Sequence, residues 1–157
     1  MNTQQSHVHH YVPRWYQKRF LAPGKSKFHY LDLNPEVITN NKVSHQRKAL
    51  LHWGPARCFY KDDLYTLKLG GWTSDQIEQR FFGAVDTFGR KAVELFADYK
   101  GCCDGAASAF RSLVSYMDAQ RSRTPRGLDW LKKQVGLRDH SQALMVMQRL
   151  FQYHTTM

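Results

Sequence analysis

Two short strings of residues have side chains that could do chemistry. The first runs from Ser6 to Arg14, so imidazoles that titrate near neutral pH lie beside an arginine and aromatic rings. Histidines at this spacing can bind a divalent metal ion, or one of them can activate water for attack on a phosphodiester. His9 and His10 are therefore candidate metal ligands and candidate catalytic residues.

The His-His-x-x-Pro pattern within this string is also similar to the first half of the HNH nuclease motif. In that motif one histidine holds the metal and the other activates water. Its second half requires an asparagine and a further histidine after a β-hairpin, and Asn41 and His45 are the nearest candidates, at a poor spacing. A histidine-rich N-terminal string is also typical of a solvated tail or of a local structural clamp.

The second string lies between two predicted helices. The apolar positions Phe110, Leu113 and Met117, extended by three and four residues, lead to Gln120 and Arg121, so polar groups occupy the end of an apolar face. Arginines around a capped helix N-terminus favour phosphate or carboxylate binding. The candidate anion-binding residues of this string are Gln120, Arg121, Arg123, Thr124 and Arg126. In the alternative interpretation, Arg121 pairs with Glu78 or Asp86 and holds two helices together.

Glu78 and Asp86 are the acids that the long predicted helix could contribute. Eight residues of helix separate them by about 12 Å, so they cannot hold one metal ion between them. If either is functional, it acts with a partner from another element. Glu78 and Arg121 complete the candidate catalytic set with His9 and His10.

Helical periodicity begins at Thr73 and continues to the C-terminal end of the chain. The long helix, predicted over 74–100 with Thr73 or Ser74 as its cap, carries one apolar stripe. That stripe comprises Ile77, Phe81, Val85, Phe88, Ala92, Leu95, Phe96 and Tyr99. It ends at Gly101.

Three further helices follow. The first is predicted from its cap Asp104 to about Arg121; the second has Thr124 as N-cap and Pro125 as its first residue, and stops at Gly136. The last runs from 139 to about 153. The predicted buried positions are Phe110, Leu113, Val114 and Met117 in the first of these helices, and Leu144, Met147, Leu150 and Phe151 in the last.

The N-terminal part has shorter elements. Strand-like runs occur at 28–31 and 37–39, and one or two helical turns are predicted from Pro13 to Leu21. The predicted fold is mainly α (α+β), with an antiparallel helix pair, two shorter helices and a small irregular N-terminal layer of short strands. We expect one domain over 1–157, with a basic layer at 1–69 and a helical part at 73–157.

Positive charge is concentrated near the N-terminus. The chain has a formal net charge of +10, and residues 1–61 hold ten lysines and arginines against only two acids. Such a lopsided field attracts polyanions, so DNA or RNA is the predicted partner. Arg14, Lys18 and Arg19 are the predicted phosphate contacts, and an acidic protein surface is the alternative partner.

Cysteine usage and hydropathy limit the cellular compartments that the sequence favours. The chain has three cysteines, and two of them, Cys102 and Cys103, are adjacent, which favours a reducing environment over a disulfide framework. No apolar run approaches the length that spans a bilayer. We therefore predict a cytoplasmic protein without a membrane partner.

The residues above resemble a bacterial family, the domain of unknown function 4238. The matching features are His9-His10-Tyr11-Val12-Pro13, Tyr16, Arg19-Phe20, Cys58-Phe59-Tyr60, Ile77-Glu78, Asp86 and the Gln-x-x-Arg-Thr-Pro string ending at Pro125. The resemblance implies that these residues occur together, and it brings no established activity. Asp86 stands where the family usually has Glu.

Three functions are compatible with these observations. The first is a basic module that binds nucleic acid or another polyanion. The second is a metal-dependent phosphodiesterase or nuclease that would use the histidines and a divalent cation. The third is an interaction protein, from a phage or mobile element, that docks on a host partner.

Overall fold

The computed structural model of the protein describes residues 6–40, 42–101 and 104–155, with side chains as far as 151. Asn41, Cys102 and Cys103, which the sequence analysis singled out, lie outside the described residues. The chain divides into two compact units, residues 14–59 and residues 1–13 with 60–157. We call them the ribbon unit and the helical unit. The single domain over 1–157, with a basic layer at 1–69 and a helical part at 73–157, stays a prediction.

The regular elements follow one another along the chain with short connections. The strands are β1 (Val8–His10), β2 (Phe28–Leu31), β3 (Val37–Asn40), β4 (Val43–Gln46), β5 (Leu50–Trp53), β6 (Tyr60–Asp62), β7 (Leu67–Leu69) and β8 (Trp72–Ser74). The helices are α1 (Arg14–Gln17), α2 (Gly83–Ala97), α3 (Ala106–Arg123), α4 (Pro125–Val135) and α5 (His140–Thr155). A π-helical segment, Ile77–Phe82, precedes α2. Two 3-10 turns, Lys18–Phe20 and Pro55–Arg57, belong to the ribbon unit.

Nested antiparallel pairing builds the ribbon unit. β2 pairs with β5, and β3 pairs with β4 between them. Backbone hydrogen bonds from Asp32 to Ala49 and from Arg47 to Glu36 continue the pairing between the two ladders. The result is one two-stranded ribbon, of which the strand runs at 28–31 and 37–39 were predicted.

Alternation along the ribbon separates its two faces. Phe28, Tyr30, Leu51 and Trp53 are half-buried, because successive side chains of a strand point to opposite faces. Tyr30 stacks on Trp53 at 5.7 Å between ring centroids. The other face exposes His29, Leu31, Leu50 and His52.

In the helical unit, α2 packs against α3 at a position without a side chain. Gly89 is buried in α2, and a Cβ atom there would overlap the ring of Tyr116 on α3. Two small antiparallel pairs, β1 with β6 and β7 with β8, accompany the helices. Apart from Cys58 of the ribbon unit, the buried hydrophobic residues belong to the helical unit: Leu64, Tyr65, Leu67, Ile77, Phe82, Val85, Ala92, Tyr116, Ala119, Leu128, Leu131, Ala143, Leu144, Met147 and Phe151.

The beginning of the predicted long helix is different in the structure. Thr73 and Ser74 belong to strand β8, although the Ser74 hydroxyl accepts the Gln76 amide at 3.2 Å where the helix begins, and residues 77–82 are π-helical. A π-helix forms hydrogen bonds five residues apart, so Ile77 and Phe82 face the core together. Phe81, predicted on the stripe from regular α-helical spacing, is only half-buried.

Some of the other helix boundaries agree with the prediction and others do not. Thr124 is the N-cap of α4, with its side chain accepting the Gly127 amide at 3.0 Å, and Pro125 is the first helical residue, as predicted. Asp104 is not a cap, because α3 begins at Ala106 after Gly105, whose φ of 83° is left-handed. Gly136 ends α4 with a φ of 69°.

The predicted buried face of α3 is wrong. Phe110, Val114 and Met117 are 58%, 42% and 57% exposed. The helix buries its opposite side, which carries Tyr116, Ala119 and Arg123. Apolar residues occur on both sides of α3, so periodicity alone could not identify the side that meets α2.

In α5, Leu144, Met147 and Phe151 are buried as predicted, but Leu150 is 49% exposed. Tyr99, predicted on the stripe of the long helix, is 44% exposed and lies beyond the end of α2. The α+β class is confirmed, whereas the dominance of helix and the antiparallel orientation of the helix pair stay predictions. None of the helices in the described residues is long and apolar enough to cross a membrane.

Candidate functional site

Strand β1 places His9 in the core of the helical unit. In its pairing with β6, Val8 is exposed while His9 is fully buried, which is the alternation expected of a strand with one covered face. The imidazole stacks on Tyr65, with ring centroids 5.4 Å apart and planes 10° apart. His9 is therefore a packed residue of the core.

Both ring nitrogens of His9 have backbone partners. The Tyr65 amide donates to Nδ1 at 2.8 Å, so this nitrogen carries no proton, and Nε2 donates to the Ser6 carbonyl at 3.0 Å. Burial lowers the pKa of His9, and the hydrogen bond to Ser6 only partly opposes that change. The neutral imidazole thus joins two loops, and in this arrangement neither nitrogen faces a metal or a substrate.

The centre of the candidate site is Arg123, at the C-terminal end of α3. Its side chain is 1% exposed, and Nη1 lies 2.6 Å from the carboxylate of Asp86 on α2. Nη2 donates to the His10 carbonyl at 2.8 Å. The guanidinium also lies over the Phe82 ring, 4.5 Å from its centroid, in a cation–π contact.

Tyr65 completes the enclosure of this arginine. Its hydroxyl donates to the Arg123 carbonyl at 2.6 Å, and its ring packs 4.4 Å from that of Phe82. Burial raises the pKa of Tyr65 far above its usual value, so the hydroxyl keeps its proton and acts as a donor. Three elements, β1, α2 and α3, are thus joined around one side chain.

The two strings singled out in the sequence meet at this point. The Gln120 amide donates to the Tyr11 carbonyl, one residue along from the His10 carbonyl that Arg123 binds. The two strings therefore contact each other in the structure, through Gln120 and Arg123. The arginine that contacts the N-terminal string is Arg123. Arg121 is exposed.

Glu78, on the π-helical segment, is the unusual titratable group of the cluster. Burial raises the pKa of Glu78 to about 7. The negative charges of Asp86 and Asp75 also raise this pKa, whereas the positive charge of Arg123 acts to lower it. Its Oε2 atom is buried and has no hydrogen-bond partner among the described residues. The Oε1 atom of Gln120 is in the same situation.

Asp86 behaves differently from Glu78 because it has a direct partner. Burial raises the pKa of Asp86, while the charge and hydrogen bond of Arg123 act to lower it. A functional acid on this helix was predicted to use a partner from another element, and Arg123 of α3 is the partner of Asp86. The alternative interpretation, in which an arginine holds two helices together, describes this pair with Arg123 in place of Arg121.

The predicted anion receptor at the start of α4 is occupied by internal contacts. Thr124 accepts the Gly127 amide and donates to the Arg121 carbonyl at 3.3 Å. Arg123 is turned into the core, and only Arg121 and Arg126 of this string present exposed guanidinium groups. The arrangement therefore stabilises the junction between α3 and α4.

The candidate metal ligands do not assemble into a larger ligand set. Among the residues that the structure describes, no three His, Cys, Asp or Glu side chains lie close enough together to share a metal ion. His10 packs its ring on Tyr60, 5.8 Å between centroids. His45, the distant candidate of the nuclease motif, is an exposed residue of β4 in the ribbon unit.

The family model described as Protein of unknown function (DUF4238) matches residues 8–148. The chain belongs to this family. No curated protein and no solved structure gives a significant match. The residues matched by the DUF4238 model include every member of the Arg123 cluster named above.

Family membership clarifies which signal would have identified Arg123. The string Gln-x-x-Arg-Thr-Pro, on which the resemblance was based, has Arg123 at its arginine position, directly before Thr124. The extended apolar stripe pointed to Arg121, because that stripe turned out to be the exposed one. Tyr65 and Phe82, which sequence reasoning missed, carry no polar or spacing signal that marks them as contacts of an arginine.

The predicted phosphate contacts belong to the ribbon unit. Arg14 lies in α1, and Lys18 and Arg19 lie in the 3-10 turn that follows. All three are exposed. The predicted phosphate contacts thus differ from Arg123, which is enclosed in the helical unit.

Proposed function

We propose that the protein is a nucleic-acid-binding module and that its ribbon unit makes the phosphate contacts. The observation that carries the proposal is the distribution of charge between the units. Residues 14–59 contain nine lysines and arginines and two acids, a net of +7. The much longer helical unit has fourteen against eleven, a net of +3.

The cations of the ribbon unit are available to a ligand. Both of its acids are engaged by Arg47, which lies 2.8 Å from Asp32 and 3.3 Å from Glu36. The other eight cations are exposed and form no ion pair with a described residue. They are Arg14, Lys18, Arg19, Lys25, Lys27, Lys42, Lys48 and Arg57.

The form of the unit suits a polyanion with repeated phosphates. A two-stranded antiparallel ribbon is narrow enough to enter the major groove of B-DNA. Phosphate contacts from lysine and arginine position a protein on a duplex without reading its sequence. We therefore expect salt-sensitive binding with little sequence preference. An acidic protein surface is the remaining partner that the same charges could meet.

The second hypothesis, a metal-dependent phosphodiesterase, gains no support from the Arg123 cluster. His9 gives both ring nitrogens to backbone groups, and Arg123 gives two of its nitrogens to Asp86 and to the His10 carbonyl. These groups hold the fold together and are not directed at a ligand. The proposal therefore rests on the ribbon unit alone.

The test is fluorescence anisotropy of a labelled duplex as salt is varied. If about five cations contact phosphate, the slope of log K against log salt should be near −4, at about −0.9 per contact. Replacing Arg14, Lys18 and Arg19 together with Gln should flatten the slope by about 2 to 3 units.

A matched control separates a local site from net charge. Lys91, Lys100 and Lys133 are exposed cations of the helical unit, and replacing them with Gln removes the same total charge. The control triple should leave the slope nearly unchanged. If both triples flatten it equally, or if no nucleic acid binds at low salt, the proposal is wrong.

A further inference from the structure

We propose that helix α3 is a self-association surface, on which a second copy of the chain packs antiparallel around a two-fold axis. This inference concerns the helical unit and does not depend on nucleic-acid binding. Its starting point is the exposed side of α3, where Phe110, Val114 and Met117 are 58%, 42% and 57% exposed. These three residues fall within about 60° of one another around the helix axis.

The exposed stripe is a second apolar face on a helix that already has one. The other side of α3 buries Tyr116, Ala119 and Arg123. The helical unit therefore already covers one face of this helix. Helices that are apolar all round are normally covered on all sides. Phe96 lies against Phe110, with ring centroids 6.3 Å apart, and against Tyr99 at 5.5 Å. At the Phe110 end, the aromatic surface therefore extends beyond helix α3 onto the neighbouring residues Phe96 and Tyr99.

The spacing of the stripe is that of a short coiled-coil seam. Phe110, Val114, Met117 and Arg121 follow one another at intervals of four, three and four residues. In an antiparallel pair of such seams, Val114 of one copy meets Met117 of the other. Phe110 then lies opposite Arg121, a combination that permits a cation–π contact.

Charge complementarity selects a second copy as the occupant. Arg111 and Asp118 are exposed, flank the stripe on the same edge, and have no ion-pair partner among the described residues. In the antiparallel arrangement Arg111 of each copy lies beside Asp118 of the other, so two identical ion pairs form. A two-fold interface requires this kind of self-complementary surface, in which residue i contacts j and j contacts i.

The size of the stripe sets the expected strength. The span from 110 to 121 is about 16 Å of helix, which makes a contact at the low end of specific interfaces. We expect a dissociation constant on the order of 1 to 10 µM, so the protein should be dimeric at about 100 µM.

The first test is sedimentation velocity of the full chain over a concentration series, on nucleic-acid-free protein. Wild type should approach twice the monomer mass, and Val114→Glu should weaken association by at least about 100-fold, since a carboxylate would be buried at the centre of the seam. Val135→Glu is the matched control, because Val135 is a 48% exposed valine on α4. It should associate as wild type does.

The second test fixes the register by charge reversal. Asp118→Arg and Arg111→Glu should each weaken association by about tenfold, and the double variant should recover wild-type association. Mixing the two single variants should produce a heterodimer, because each supplies the charge that the other lost. Asp129→Arg, an equal charge change on α4, should have no effect. Circular dichroism melts of each variant check that it is folded before its association is compared with wild type.

Three results would overturn the proposal. Wild type could be monomeric at about 100 µM, a concentration at which a contact of this strength is mostly formed; the stripe would then serve a different protein. Val114→Glu could dimerise as tightly as wild type, which would place the interface elsewhere. Finally, the double charge reversal could fail to restore association, which would exclude the antiparallel register.

Discussion

The guanidinium of Arg123 lies 2.6 Å from the carboxylate of Asp86, and the arginine side chain is almost completely buried. A buried cation is tolerated only when its charge and its donors have partners. Asp86 supplies the charge, and the His10 carbonyl takes a second donor. This pair therefore connects α2 and α3 to strand β1, which contains His10.

Removing the charge of Asp86 should destabilise the protein strongly. In Asp86→Asn the guanidinium of Arg123 stays buried without a counter-ion, so we expect a loss of about 3 kcal/mol in the free energy of unfolding. Urea denaturation measures this loss. Glu94→Gln is the control, because Glu94 pairs with Arg90 on the exposed side of α2. An exposed pair contributes little, so a similar loss in both variants would contradict this account of Arg123.

Glu78 should make stability fall as the pH rises through the range from about 4.5 to 7. Its pKa is about 7 in the folded chain and 4.5 in the reference state. The folded protein therefore binds more protons than the unfolded chain in this window, and the stabilising contribution, complete below 4.5, is lost as the pH passes 7.

Glu78→Gln keeps the neutral shape and should remove this dependence. At pH 8 the variant should be more stable than wild type by about 2 to 3 kcal/mol, and the difference should vanish near pH 4.5. Denaturation midpoints at several pH values give the curve. A difference between variant and wild type that does not change with pH would show that Glu78 is not held away from water.

His9 should stay neutral in the folded protein at pH values below its usual pKa, because its pKa is lowered. Burial lowers its pKa, and Nδ1 already accepts a hydrogen bond from the Tyr65 amide. Nitrogen-detected NMR of labelled histidine should find His9 with a single ring proton, on Nε2, at pH values below the usual histidine pKa of about 6.5. If His9 instead becomes doubly protonated at that pKa, its ring is accessible and a ligand role becomes open again.

The lowered pKa of His9 also determines the direction in which the stability of the protein changes with pH. The folded protein disfavours the charged ring, so this contribution is present above the unfolded pKa of about 6.5 and is lost as the pH falls through the folded value. His9→Gln would lose the stack on Tyr65 and should destabilise the chain at neutral pH. The same change at His29, an exposed residue of the ribbon, should have little effect.

Two glycines of the helical unit should respond oppositely to alanine. Gly89→Ala places a methyl group inside contact distance of the Tyr116 ring, so it should cost about 1 to 3 kcal/mol. At Gly83 the nearest neighbour of a new Cβ is the Glu78 carbonyl at 3.8 Å, and the backbone is already helical. Gly83→Ala should therefore stabilise by about 0.5 to 1 kcal/mol. Equal thermal melting shifts in both variants would contradict the close approach of α2 and α3.

Some features of the site followed from local sequence. The Thr124-Pro125 start of α4 was predictable, because a hydroxyl cap followed by proline satisfies a helix N-terminus without help from the rest of the chain. The concentration of cations near the N-terminus was also visible in the sequence. The occurrence of both strings in one family pattern was visible in the sequence too, whereas the distances between them were not.

Other features depended on tertiary packing. Helix α3 has apolar residues on opposite sides, and the side with Tyr116 and Arg123 is the buried one, where Gly89 of α2 leaves room for the Tyr116 ring. The π-helical spacing, which buries Phe82 instead of Phe81, likewise follows from how residues 77–82 meet the core. The sequence by itself determined the four long helices and where charge lies. Only the tertiary structure decided which face of each element is enclosed, because burial is a property of two surfaces in contact and local periodicity describes one surface at a time.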